Sequence, residues 1–261
     1  MTARDLPNFQ RLLAVIARLR SPTGCPWDRQ QTVASMAPHL LEEAYETVDA
    51  IVRGDGEQVA EELGDVLTNV LLIAQIRADG GDSDLEPIAG AVADKLVRRH
   101  PHVFGDQPAD GQAVAFRDWE RLKLQEPRPG TPVRSVLDGV PAALPALLRA
   151  SRVGEKAARV GFDWPDCSGP RAKVAEELAE LDAAIASGDG AAIAAELGDL
   201  LFSIVNLARH LGCSAELALR GTVDRFQRRF ALVERELGPD LQQRSLAELE
   251  AAWQRAKQAL D

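Results

Sequence analysis

Cysteine is scarce: Cys25, Cys167 and Cys213 are isolated and odd in number, and no CxxC pair occurs. That excludes a disulfide framework and fits a reducing, cytoplasmic setting. Aromatic residues make up only 5% of the chain, and alternating β-branched runs are nearly missing. Abundant Ala and Leu in their place favour helices. Positive charge is in deficit, with 30 Lys and Arg against 40 Asp and Glu, for a net charge of −10. This argues against a role in coating nucleic acid, although a local basic patch can still bind phosphate. The first residues, MTARDLPNFQ, lack an apolar core, so no signal peptide is expected there. No uninterrupted apolar run reaches bilayer-spanning length, so no membrane association is expected. A Walker motif, a GxGxxG loop and a nucleophile elbow are all missing too.

What is present centres on residues 173–199, KVAEELAELDAAIASGDGAAIAAELGD. Glu177 and Glu180 are three apart, as are Glu196 and Asp199. Residues three apart share a helix face. The intervening Ser187-Gly188-Asp189-Gly190 is a turn signal that folds the second helix back on the first. Four carboxylates would then converge between two antiparallel helices. Glu196 and Asp199 belong to a stretch that is apolar nearly all round, so the helix carrying them is expected to be buried. Glu196, Asp199, Ser203 and Asn206 form its one polar stripe, and the basic residues nearest in sequence are Arg209 and His210. Converging carboxylates repel and lose hydration, and the usual remedy is a divalent cation.

The same arrangement occurs earlier in the chain. Glu177 minus Glu43, Glu180 minus Glu46, Glu196 minus Glu62 and Asp199 minus Asp65 all give 134. So do Pro141 minus Pro7, Trp253 minus Trp119 and Lys257 minus Lys123. Between these landmarks, KLVRRHPHVF at 95–104 corresponds to RFQRRFALVE at 225–234 through a compensated four-residue indel. A register kept across acidic, basic and aromatic landmarks is an internal duplication. The chain therefore reads as all-α, with tandem helical bundles at 1–126 and 140–261 joined by a proline-rich linker at 127–139. Each copy begins with a helix, over 6–20 and 142–159, followed by a Gly/Pro/Trp loop. Two carboxylate helices, a basic helix and a short helix bearing the tryptophan and lysine come next.

Neither copy has a histidine three residues after a carboxylate, and His39 is replaced by Lys173 in the second copy. An all-carboxylate donor set suits hard cations, Mg²⁺ or Mn²⁺. Magnesium held by few carboxylates keeps positions open for water and phosphate, which points to phosphate chemistry. Lys173, Arg225, Arg228 and Arg229 supply cations for phosphate, and Trp253 can stack on a base. Cys25 and Cys213 have no counterparts at the 134 offset, so covalent catalysis through cysteine is unsupported. What is left is metal-assisted attack of water on phosphorus, with Glu176 or Glu180 taking the proton.

The ordered set EExxE and ExxD with CPWD, RRHPHVF, GFDW and NLARHLG resembles the MazG-type nucleoside triphosphate pyrophosphohydrolases over nearly the whole chain. The resemblance implies an all-α NTP pyrophosphatase fold, a homodimer and Mg²⁺-dependent cleavage of nucleoside triphosphates between the α and β phosphates. NMP and pyrophosphate are then the products, and cleansing of nucleotide pools the role. It implies metal ligands at Glu177, Glu180, Glu196 and Asp199, matched in the first copy by Glu43, Glu46, Glu62 and Asp65. It also implies nucleotide contacts at Lys173, Glu176, Arg225, Arg228, Arg229 and Trp253, with the C-terminal copy the catalyst. Lys123 is a further catalytic candidate, acting across an interface. A stacking tryptophan and a few cations carry no base-edge code, so broad specificity across ribo- and deoxynucleotides is expected. The alternative is a non-catalytic helical regulator that binds nucleotide or protein.

Overall fold

The computed structural model describes residues 6–105 and 135–260, and every regular element among them is helical. The chain divides into two compact units, Met1–Glu126 and Pro127–Asp261.

In the first unit, α1 spans Pro7–Arg20, close to expectation. The following Pro/Gly stretch is not all loop. It holds a short helix, α2 (Pro26–Gln30), because Pro26 sits at the first helical position, where its fixed φ is already helical and its missing N–H costs nothing. Two long helices follow, α3 (Ala37–Arg53) and α4 (Gly56–Asp79). Gly54 ends α3 in the left-handed region at φ 74°, and the Asp55 side chain accepts from Gln58 N to cap α4. Ile16, Met36, Leu71 and Leu72 form the core beneath α1 and α4. The basic stretch 95–104 does not form one helix. It divides between α5 (Leu85–Arg99) and α6 (Pro101–Phe104), because Pro101 has no N–H to donate and disfavours a helical conformation at His100.

The second unit repeats the carboxylate-helix pair. Here α7 spans Ala146–Arg159, four residues later than the expected start at 142, because Pro145 disfavours helix at the residue before it. The pair is α8 (Ser168–Ser187) and α9 (Gly190–His210), joined by Gly188 at φ 74° and capped by Asp189, whose side chain accepts from Ala191 N and Ala192 N. This is the Gly54–Asp55 device moved by 134 residues, and the α8–α9 packing is the most extensive between any two helices. Next come α10 (Ala215–Leu237), a 3₁₀ turn (Leu241–Gln243) and α11 (Leu246–Leu260). The basic stretch 225–234 has no proline and stays within one helix, α10. A small core of Val233, Ala252 and Ala256 joins α10 to α11.

The expectation that α9 is buried is corrected. Only Ser203 and Val205 are buried, while Leu197, Leu201 and Ile204 are 46%, 46% and 42% exposed. The helix packs against α8 and α7 and, more lightly, against α10, and these three side chains are left exposed among the described residues. Leu63 and Val70 of α4, at the same offset from Leu197 and Ile204, are exposed as well. By length and composition alone α9 could cross a bilayer, but Glu196 and Asp199 interrupt its apolar surface.

Candidate metal centre

The antiparallel pairing of α8 and α9 brings three of the four expected carboxylates of the second unit together. One oxygen each from Glu177, Glu196 and Asp199 lies within 4.8 Å of the others, and Glu43, Glu62 and Asp65 do the same in the first unit. Glu177 and Glu62, the innermost members, are buried. Both sets are compact groups of anionic oxygen donors, which fits a hard divalent cation.

Glu180 and Glu46, the fourth expected ligands, are exposed and belong to neither trio. Glu180 still feels its trio. Partial desolvation, and then the Glu177 charge, raise the Glu180 pKa above its ordinary value. In the first unit, burial, followed by Asp65, Glu46 and Glu62, pushes Glu43 up.

Lys173 is drawn into the centre one turn before Glu177. Its ammonium lies 2.6 Å from Glu177 and 2.9 Å from Glu176, and the bond to Glu177, then that to Glu176, raises its pKa further. The first-unit counterpart, His39, packs edge-on against Trp27 at 5.8 Å instead. At this pair of equivalent positions, a fixed positive charge touches the carboxylates of the second unit, and the first unit has an imidazole packed on tryptophan.

The other expected nucleotide contacts lie on α10 and α11. Arg225 is exposed on α10 and donates to Thr222, and Arg228 is exposed on the same helix. Arg229 is half-buried there. Trp253 packs between α10 and α11, tilted on Phe226 at 5.0 Å, as part of the small core. Lys123 lies outside the described residues.

Sequence reasoning passed over a cavity of about 420 Å³ that opens beside the trio. Glu177, Asp199 and Lys173 line one end, and Trp164, Phe202 and Asn206 are among the residues lining the rest. The GFDW segment was visible as part of a motif, but not as a wall of this site. Trp164 rests directly on the start of α8, where a Cβ at Gly169 would fall 2.1 Å from its ring. In the cavity lining, Arg209 is held by Asp163 through two hydrogen bonds of 2.9 and 2.5 Å, and His210 Nε2 lies 2.9 Å from the same carboxylate. The two basic residues that follow Glu196 and Asp199 on α9 are thus engaged with Asp163.

The Arg209 hydrogen bonds, helped by His210, hold Asp163 at about 2, below its ordinary value of 3.8. A carboxylate with a depressed pKa stabilises the fold at pH above its unfolded value, and that contribution disappears as pH falls through the folded one. Asp163→Asn is therefore expected to cost about 2 kcal/mol at pH 7, with the difference from wild type closing between about pH 4 and pH 2. Denaturant unfolding across that range measures it, and a gap that stays constant with pH would contradict it.

The sequence profile of the MazG nucleotide pyrophosphohydrolase domain matches residues 31–104 and 170–233, one carboxylate-helix pair in each segment. The chain is 44% identical over 256 residues to the nucleoside triphosphate pyrophosphohydrolase of Escherichia coli (strain K12), covering 96% of this chain and 97% of that one. It is 41% identical over 252 residues to the nucleoside triphosphate pyrophosphohydrolase/pyrophosphatase MazG of Thermotoga maritima, covering 95% of each. It is also 41% identical over 255 residues to the uncharacterized protein YabN of Bacillus subtilis, of which it spans 52%.

Proposed function

The chain belongs to the MazG nucleotide pyrophosphohydrolase family, and from that premise we propose that it cleaves nucleoside triphosphates between the α and β phosphates to NMP and pyrophosphate, with Mg²⁺ as cofactor and the C-terminal unit as catalyst. The observation that carries this reading is the convergence of Glu177, Glu196 and Asp199 within 4.8 Å beside the Lys173 ammonium. Glu177, Glu196 and Asp199 hold the cation, which when bound neutralises phosphate oxygens and acidifies a water. Mn²⁺ suits the same donors.

The chain's own groups divide the remaining work. Lys173 supplies a fixed charge for the phosphates. Glu180 stands next to the trio and forms no ion pair among the described residues, so it is the better-placed general base. Glu176 is engaged by Lys173 and orients that ammonium. Arg225 and Arg228 offer exposed guanidinium groups for bidentate phosphate contacts. The substrate range is broad across ribo- and deoxynucleotides, in keeping with removal of unwanted nucleotides from the pool. A second copy of the chain covers the apolar stripe of Leu197, Leu201 and Ile204, making a homodimer. Nothing in the net charge of −10 recommends nucleic acid as a partner.

Pyrophosphate release from a panel of triphosphates, with and without Mg²⁺ and with chromatographic identification of the nucleotide product, tests this. Mg²⁺-dependent NMP is the expected product. Release of a nucleoside diphosphate would overturn the α–β position. No turnover of any triphosphate by folded protein would turn the reading to a nucleotide-binding regulator.

A further inference from the structure

The cavity beside the trio has the size of a small-molecule site, for which roughly 300–1,000 Å³ is usual. Its lining is mixed. Lys173, Glu177 and Asp199 bring it to the trio, Trp164 and Phe202 supply aromatic surface, and the Asp163–Arg209 pair adds a second polar edge. A molecule that spans it needs a charged, metal-bound part and a flat ring.

Of the polar groups that line it, Asp163 and Arg209 are taken up with each other and the Ser203 hydroxyl can donate or accept, whereas the orientation of the Asn206 side-chain amide is determined. Oδ1 accepts from Arg209 Nε at 3.0 Å and from Arg209 Nη2 at 2.7 Å. A guanidinium can only donate, so the amide cannot be reversed. Asp163 holds the far side of the same guanidinium. Asn206 Nδ2 makes no hydrogen bond among the described residues, and the residue lines the cavity. The amide is therefore a donor with its acceptor end occupied. The position equivalent to Asn206 in the first unit, 134 residues earlier, is Leu72, a buried core residue that can donate nothing.

Resting on the reading that the trio binds the triphosphate, we infer that this cavity seats the nucleobase and that Asn206 Nδ2 donates to a ring carbonyl. The substrates favoured are then those with a keto group at the position read: uracil, thymine, guanine and hypoxanthine. Cytosine and adenine place an amino group there, and donor would face donor. Their neighbouring ring nitrogens still accept, so the preference is graded within a broad range. Asp163 and Arg209 are positioning residues, acting through the orientation of Asn206.

UTP and CTP differ at C4, and ITP and ATP at C6, so the intact chain with Mg²⁺ tests the inference through kcat/KM ratios within each pair. One neutral hydrogen bond corresponds to about a five- to tenfold preference for UTP and for ITP. Asn206→Leu, which installs the first-unit residue, should bring both ratios to about one while activity persists. A wild-type ratio of one, or an undiminished preference in folded Asn206→Leu, would overturn the inference. Should no triphosphate be turned over, the hydrolase reading fails by itself, and calorimetric binding of UTP and CTP replaces the rates. Tighter UTP binding that Asn206→Leu removes then upholds the pocket, and equal affinities overturn it.

Discussion

Asp199→Ala is expected to abolish pyrophosphate release, while Asp65→Ala leaves most of it. Both residues belong to trios of the same composition, so the argument lies in what surrounds each trio. Lys173 touches Glu177 in the second unit, and the matching His39 is packed on Trp27. The cavity with its oriented Asn206 is likewise beside the second trio, where the first unit has Leu72. Removing Asp199 takes away one of three anionic donors and leaves Glu177 and Glu196 with a weaker hold on the cation. Loss of a group that merely orients a ligand costs roughly 10–100-fold, so loss of a ligand itself should exceed about a hundredfold. The measurement is the Mg²⁺-dependent rate of each variant beside wild type, with circular dichroism to show that both fold. Abolition in Asp65→Ala with activity intact in Asp199→Ala would reverse the assignment of the working copy.

Leu197→Glu combined with Leu201→Glu is expected to convert a homodimer to a monomer of 28.2 kDa in sedimentation equilibrium. The two leucines are one turn apart on α9, and each is close to half exposed within a single chain. A helix with such an apolar stripe exposed needs a partner, and a second copy presents the same surface to it. Carboxylates placed in that contact would be desolvated without counter-charges, at a cost of several kcal/mol. The dimer dissociation constant should rise by about a thousandfold or more. Both leucines are close to half exposed within one chain, so helix content should be kept. Wild-type protein that sediments as a monomer would remove the homodimer from the proposed function. A variant that remains dimeric would place the interface elsewhere.

Much of this architecture was legible in the amino-acid sequence because it depends on local rules. The 134-residue register showed the duplication, and helical spacing put Glu177 with Glu180 and Glu196 with Asp199 on shared faces. Gly54–Asp55 and Gly188–Asp189 announced the turns, since a left-handed glycine followed by a capping aspartate stops one helix and starts the next. The all-helical class, the two carboxylate-helix pairs and the acidic character of the site follow from periodicity, capping and composition.

The tertiary structure decided what periodicity cannot express. Spacing along one helix does not say which of four carboxylates turns inward, and the packing of α8 on α9 selected Glu177, Glu196 and Asp199 while leaving Glu180 at the edge. An apolar helix is ambiguous between burial in its own chain and burial against another, and among the described residues the packing left Leu197, Leu201 and Ile204 of α9 exposed. Asp163 and Arg209 are 46 residues apart, too far for any local rule to pair them, yet their contact orients Asn206 and shapes the cavity beside the trio. Local chemistry is written in neighbouring residues, whereas the direction in which each charge points is set by long-range packing.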